Sequence, residues 1–199
     1  ITKLSHIHFV SNDSAAQRVI RMGEDSKTVH IIGSPEVDIL SSPSLPSAQS
    51  AKAHYEINFE TYSIVILHPV TTELENVSKQ ASSLLEFMQQ TAENFVVIES
   101  NNDSGSDEIF AVYSQHTQNS RIKFFPSMRF ELFLSLLKSA KCIIGNSSSG
   151  VREAPFLGVP AVNLGTRQAN RSDLPLVFNA DFVPAEISKA FQAAIMAPR

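Results

Sequence analysis

The chain has 199 residues, 43% hydrophobic and 18% charged, a composition that excludes disorder and a fibre and suits one generous domain, or one domain and a piece of another. Lys and Arg number 16 against 20 Asp and Glu, for a formal charge of -4, and the basic residues form no run or stripe, which argues against duplex nucleic acid as a partner. The single cysteine, Cys142, closes neither an intrachain disulfide nor a zinc site, and no apolar stretch approaches the roughly 20 residues of a membrane-spanning helix, so a cytoplasmic setting away from membranes is expected.

In chain order, His6 to Val10 reads as a strand, Ser14 to Met22 as a helix capped by Ser14 and closed by Gly23, and Val29 to Ile32 as a second strand running into Gly33-Ser34-Pro35. Ser41 to Ser50 holds five serines and two prolines in ten residues, the composition of a linker or hinge. A boundary is therefore placed near residue 40, dividing 1–40 from 41–199.

Beyond it, strands and helices alternate. Tyr62 to Leu67 is a strand stopped by His68-Pro69. Glu73 to Thr91 is an amphipathic helix whose stripe is Leu74, Val77, Ala81, Leu84, Leu85 and Met88. Strands follow at Phe95 to Ile98, Ile122 to Phe125, Cys142 to Ile144, Ala161 to Leu164 and Leu176 to Phe178. Helices are expected at Asp107 to Ser114, through Phe130, Phe133, Leu134 and Leu137, and at Ile187 to Met196. This alternation predicts an α/β fold, a Rossmann-like parallel sheet with helices on both faces. Ligands of such sheets sit at the carboxyl ends of the strands.

Several loops at that edge carry chemistry. Gly145-Asn146-Ser147-Ser148-Ser149-Gly150-Val151-Arg152-Glu153 follows a buried strand and enters a helix. Its N–H groups and hydroxyls suit a phosphate cradle, or else a Ser/Gly turn without a ligand. Glu153 suits a pair of ribose hydroxyls, or complements the helix dipole alone. Arg167 and Arg171 in the next loop suit phosphate oxygens, or a solvated surface. His68, at a strand end, suits binding or protonation of a pyrophosphate, or a purely structural place. Asn101-Asn102-Asp103-Ser104-Gly105-Ser106 has the composition of a nucleotide-contacting loop and equally of an Asx turn. His6, His8, His30, His54 and His116 lack metal-ligand spacing, so neither metal nor cofactor is predicted. No nucleophile or general base is visible.

The order of these loops narrows the reading. His68-Pro69-Val70-Thr71-Thr72, then Gly145 to Pro155, then Gly158-Val159-Pro160 and Asn163-Leu164-Gly165-Thr166-Arg167-Gln168, resemble the hydrolysing UDP-N-acetylglucosamine 2-epimerases. Ile1-Thr2-Lys3-Leu4-Ser5-His6 and Met22-Gly23-Glu24-Asp25 with Gly33-Ser34-Pro35 look like the same family just before its interdomain hinge. The resemblance implies one half of a two-domain GT-B fold: 1–40 the end of a first Rossmann-like domain with its hinge, and 41–199 a UDP-binding second one. The chain opens at Ile1, not Met, and is expected to be cut from a longer polypeptide.

The resemblance further implies His68 on the UDP diphosphate with a part in catalysis, Asn101 on the nucleotide, Ser147 and Ser148 on phosphate oxygens, Glu153 on the ribose, Arg167 near the nucleotide and the Phe125 backbone beside the uracil. The implied reaction eliminates UDP from UDP-N-acetylglucosamine to leave a 2-acetamidoglucal, then adds water to give N-acetylmannosamine, as in sialic-acid-type biosynthesis. Its acid/base carboxylates would lie mainly in a first domain that this sequence lacks, so the fragment alone is expected to be inactive. The implied partners are a UDP-sugar and that missing domain; a homo-oligomer is compatible with the sequence. Alternatives are a non-hydrolysing epimerase, a GT-B glycosyltransferase, or a stand-alone UDP-sugar binding module.

Overall fold

A computed structural model of the chain describes residues 1–115, 119–169, 171 and 174–198. His116, read above as lacking metal-ligand spacing, and residue 170, in the loop that carries Arg167 and Arg171, lie outside the described residues. The chain forms two compact units, 1–44 and 45–199.

The first unit is a small β-α-β element. Strands β1 (His8–Val10) and β2 (Val29–Ile31) pair in parallel, His8 opposite Val29. Helix α1 (Asp13–Arg21) joins them and starts one residue before Ser14, because the capping side chain is that of Asn12, whose Oδ1 accepts from Ala15 N–H at 2.9 Å. Asn and Ser cap about equally well, and the residue whose backbone leaves the helix in extended geometry takes the position; Asn12 does so at φ -157, ψ 171. A short helix, α2 (Pro35–Leu40), follows, with Pro35 supplying its first turn.

The serine-rich stretch is less of a linker than its composition predicts. Helix α3 (Ala48–His54) takes its last three residues, since Ser47 caps it by accepting from Ser50 N–H at 3.0 Å. Serine is poor inside a helix but good at its start.

The second unit is built on a six-stranded, wholly parallel sheet. Its strands are β3 (Ser63–Ile66), β4 (Phe95–Ile98), β5 (Ile122–Phe125), β6 (Ile143–Gly145), β7 (Ala161–Leu164) and β8 (Val177–Ala180), in the spatial order β5-β4-β3-β6-β7-β8. The chain winds outward from β3 in one direction, then returns to β6 and winds outward in the other. That is the doubly wound Rossmann order, and its switch point lies between β3 and β6.

Alternate strand residues face opposite layers. Val65, Leu67, Phe95, Val97, Ile144, Val162 and Leu164 face one core, shared with α4 (Val77–Gln90), α5 (Ser106–Ser114) and α8 (Pro184–Met196). At its centre Phe87 lies 5.8 Å edge-on to Phe95 and 5.5 Å edge-on to Phe191, favoured aromatic geometry. Ile64, Val96, Ile143 and Ala161 are buried on the opposite face, the side of α6 (Phe130–Ser139), which packs with α3.

The helix read from Glu73 to Thr91 starts later. Residues Leu74–Asn76 form a 3₁₀ turn before α4 begins at Val77, and Leu74, assigned to the apolar stripe, is 40% exposed. Glu73 accounts for this: its carboxylate accepts from Thr166 Oγ1 at 2.5 Å and from Gln80 Nε2 at 3.3 Å, which ties the preceding loop toward β7 rather than along the helix.

The switch point imposes one sharp constraint. Gly145 sits at φ +130, and a Cβ there would lie 1.9 Å from the Ile66 carbonyl oxygen of the adjacent strand. Gly158, at φ +69, has nothing within 4 Å of the same position. Gly158→Ala should therefore cost about 1–2 kcal/mol, the strain of left-handed backbone alone. Gly145→Ala should cost on the order of 4 kcal/mol or more, because a strand must also move. Denaturant unfolding of both variants beside the parent checks this, and equal costs would contradict it.

Candidate nucleotide site at the sheet switch point

The loops after β3, β4, β6 and β7 meet at the carboxyl edge of the sheet, and Asn146 binds three of them together. Its side chain is fully buried. Its Oδ1 accepts from His68 N–H at 2.7 Å, while its Nδ2 donates to the His68 carbonyl at 2.8 Å. The Asn146 main-chain N–H donates to the Ile66 carbonyl at 3.2 Å. Its carbonyl accepts from Arg167 Nη1 and from Gln168 Nε2, each at 3.0 Å. Gln168 is 2% exposed, so its amide reaches the site from inside the fold. Sequence analysis singled out neither Asn146 nor Gln168 for a role of its own. Both lay within motifs it quoted, but only the fold brings their partners near.

His68 is half-buried at the end of β3. Its Nδ1 faces Asn101 N–H and Ser100 Oγ, each at 3.5 Å. With Nδ1 accepting, the ring proton sits on Nε2. Burial lowers the His68 pKa below its ordinary value, and the Arg167 guanidinium adds to that, against opposing pulls from Asn101 and Asp103. At neutral pH the ring is thus an uncharged hydrogen-bond donor.

The Asn101 side chain is engaged locally, its Nδ2 donating to Asp103 Oδ2 at 2.6 Å, while the Asn101 main-chain carbonyl accepts from Ser106 Oγ. This is an Asx-type loop, and the part of Asn101 that faces His68 is its backbone. Phe125 ends β5, where its carbonyl accepts the ladder bond from Glu99 N–H at 2.9 Å and its ring stands edge-on to Tyr55 at 5.5 Å.

Ser147 opens a 3₁₀ turn, Ser148–Gly150, with its Oγ accepting from Ser149 N–H at 3.3 Å. Ser147, Ser148 and Ser149 are all part-exposed. The helix expected after this loop is a single turn, α7 (Glu153–Phe156). Pro155 brings no N–H to it, and Gly158 follows it in left-handed geometry, so it does not lengthen. Any anion here is therefore met by the first N–H groups of a short turn and by hydroxyls, more than by a long-helix dipole.

Glu153, at the start of α7, is 7% exposed, and its Oε2 has no hydrogen-bond partner among the described residues. A buried acceptor without a donor is costly unless a ligand supplies one. A separate cleft of about 470 Å³ flanks β7 and β8, lined in part by Asn163, Gln168, Asn179, Asp181 and Glu186. Of the sequence-predicted site residues, none lines it. No helix among the described residues is long and apolar enough to cross a membrane.

A doubly wound sheet with polar loops gathered at its switch point defines a Rossmann-like nucleotide-binding class. The comparisons narrow it further. The UDP-N-acetylglucosamine 2-epimerase family matches residues 1–198, and the chain belongs to that family. It is 42% identical over 194 residues to UDP-N-acetylglucosamine 2-epimerase of Neisseria meningitidis serogroup B, covering 98% of this chain and 51% of that protein. It is 35% identical over 182 residues to the hydrolysing GDP/UDP-N,N'-diacetylbacillosamine 2-epimerase of Campylobacter jejuni, covering 86% and 46%. In fold it resembles the Methanocaldococcus jannaschii UDP-GlcNAc 2-epimerase solved with UDP-GlcNAc and UDP, with a TM-score of 0.76 at 16% identity over 98% of this chain and 56% of that one. The chain thus spans about half the length of the relatives it matches.

Because burial and Arg167 lower the His68 pKa, the folded state favours the neutral ring. This contribution to stability is complete above about pH 6.5, the ordinary value, and is lost as pH falls through 6.5 toward the lower folded value. NMR titration of the His68 ring should give a midpoint below 6.5. A midpoint at or above 6.5 would mean that the ring is not held in this half-buried seat.

Proposed function

We propose that this chain is the UDP-binding half of a hydrolysing UDP-N-acetylglucosamine 2-epimerase, acting in the cytoplasm and converting UDP-N-acetylglucosamine to N-acetylmannosamine and UDP. The observation that carries the reading is the unpartnered, buried Glu153 carboxylate oxygen, standing one short turn beyond the Ser147–Ser148 hydroxyls in a chain of this family. Ribose hydroxyls would supply the donor Glu153 lacks. Ser147, Ser148 and the Nε2–H of His68 would then receive the diphosphate. The Phe125 backbone and the Asn101 loop would flank the nucleotide.

In this reaction a base removes the C2 proton, the C1–O bond breaks, and the electron pair left by the proton forms the C1=C2 bond as UDP departs. Water then adds its hydroxyl to C1 while C2 is reprotonated on the opposite face. Charge grows on the departing diphosphate, where a donor hydrogen bond from His68 and the Arg167 guanidinium stabilise it more in the transition state than in the substrate. The base and acid belong to the remainder of the polypeptide in this reading.

The first unit supports that division. Its two-stranded sheet leaves Phe9 at 66% and Ile31 at 54% exposure, with Ile32 just beyond β2 at 55%, and two strands do not make a stable sheet alone. The missing half of the polypeptide would continue it. The word hydrolysing in the name of the Campylobacter relative favours the hydrolytic outcome over epimerisation of the intact UDP-sugar. Product analysis with the full-length polypeptide decides between them: N-acetylmannosamine with free UDP supports the hydrolytic reading, and an epimeric UDP-sugar replaces it.

Arg167→Ala should weaken UDP binding to the chain by about 1.5–3 kcal/mol, roughly tenfold to more than a hundredfold, the range for a hydrogen bond to a charged group. Stability should fall by only about 1 kcal/mol, because Gln168 still holds the Asn146 carbonyl. Arg167→Lys should recover only part of the affinity, since a point charge does not reproduce a planar fork. Calorimetry with UDP beside thermal melts tests this, and unchanged affinity in Arg167→Ala would remove the residue from the site.

A further inference from the structure

We propose that Asn146 is a positioning residue that sets His68 and Arg167 in register with one another, an assignment that rests on the UDP-site reading above. Every polar group of Asn146 is engaged within the protein: side-chain O and N on the two main-chain groups of His68, main-chain N–H on Ile66, carbonyl on Arg167 and Gln168. It therefore has little left for a ligand. Its burial is complete.

The geometry explains why asparagine suits this place. β6 ends at Gly145 and β3 at Ile66, so regular ladder pairing stops at the switch point just where the functional loops begin. The side-chain amide of Asn146 presents one acceptor and one donor with the spacing of a peptide group, and it pairs with His68 as one more rung of the ladder would. His68 is thereby held to β6 by two hydrogen bonds, although its own strand has ended. The Asn146 carbonyl, fixed by the same side chain, is the anchor for the Arg167 guanidinium. A change in the amide is expected to shift the imidazole and the guanidinium together. Aspartate would place an oxygen against the His68 carbonyl, and alanine would orphan the His68 N–H and carbonyl alike.

The test combines affinity with a ring signature. Asn146→Ala should weaken UDP binding by about tenfold or more, and in an Arg167→Ala background the further loss should be smaller, the share that acts through Arg167 being already gone while the share that acts through His68 remains. The His68 ring titration, set by burial, Arg167, Asn101 and Asp103, should move up toward its ordinary value in Asn146→Ala. A residue that only stabilised the fold would lower the melting temperature and leave both readouts in place. Fully additive losses with an unmoved His68 midpoint would overturn the assignment.

If Asn146→Ala does not fold, amide hydrogen exchange in the unaltered chain decides. The His68 N–H should exchange slowly, as a buried and bonded group does, and exchange at the rate of an open loop would overturn the clamp. Absence of UDP binding by the unaltered chain would instead overturn the site reading, with the clamp still judged by exchange and by the ring titration.

Discussion

The structure depends on the close approach of β3 and β6. A parallel sheet wound in two directions has one place where neighbouring strands send their chains to opposite sides, and the crevice there is open because the two connections diverge. Here the strands come so near that the Ile66 carbonyl occupies the space a side chain at residue 145 would need. Glycine makes the approach sterically possible, and Asn146 makes it hydrogen-bonded. The pair Gly145-Asn146 thus ends one strand and holds the loop after the other.

That arrangement places the polar loops on a rigid support. His68 and the Ser147 turn leave the two central strands, whose residues Ile64, Val65, Ile143 and Ile144 are almost wholly buried. The β7 loop is tied inward through Arg167 and Gln168, and outward through Thr166 to Glu73. Loops anchored at both ends and across their middles hold their donors in one arrangement, which is the preorganisation the proposed diphosphate site calls for. The lowered His68 pKa follows from the same packing: desolvation and a nearby guanidinium both disfavour a second positive charge.

Glu153 belongs to the same economy of buried polar groups. Every polar group of Asn146 has a partner within the fold, whereas Glu153 retains an acceptor without a donor among the described residues, the one that the proposed ribose contact would fill. Other buried side chains, such as those of Ser63 and Tyr113, also lack a partner among the described residues; what sets Glu153 apart is its place at the start of the turn that follows the Ser147–Ser149 hydroxyls.

The sequence by itself determined the α/β class, the alternation of elements and the family. Apolar periodicity near 3.6 or 2 is a local property, and β4, β5 and β7 run over the residues their patterns predict. It also brought out Gly145 to Glu153 and Gly165 to Arg171 as loops with chemistry, because glycine, serine and arginine are read from composition. Local competition was harder to read: Asn12 and not Ser14 caps α1, Ser47 starts α3 inside an apparent linker, and Glu73 bonds across the site rather than opening α4. Each outcome turns on which of several suitable side chains meets its partner. Only the tertiary structure decided that Asn146 faces His68 across 78 residues of sequence and carries Arg167 and Gln168 on its carbonyl. Hydrogen bonds between loops depend on strand order and on where each ladder ends, and neither quantity is encoded in the residues of any one loop.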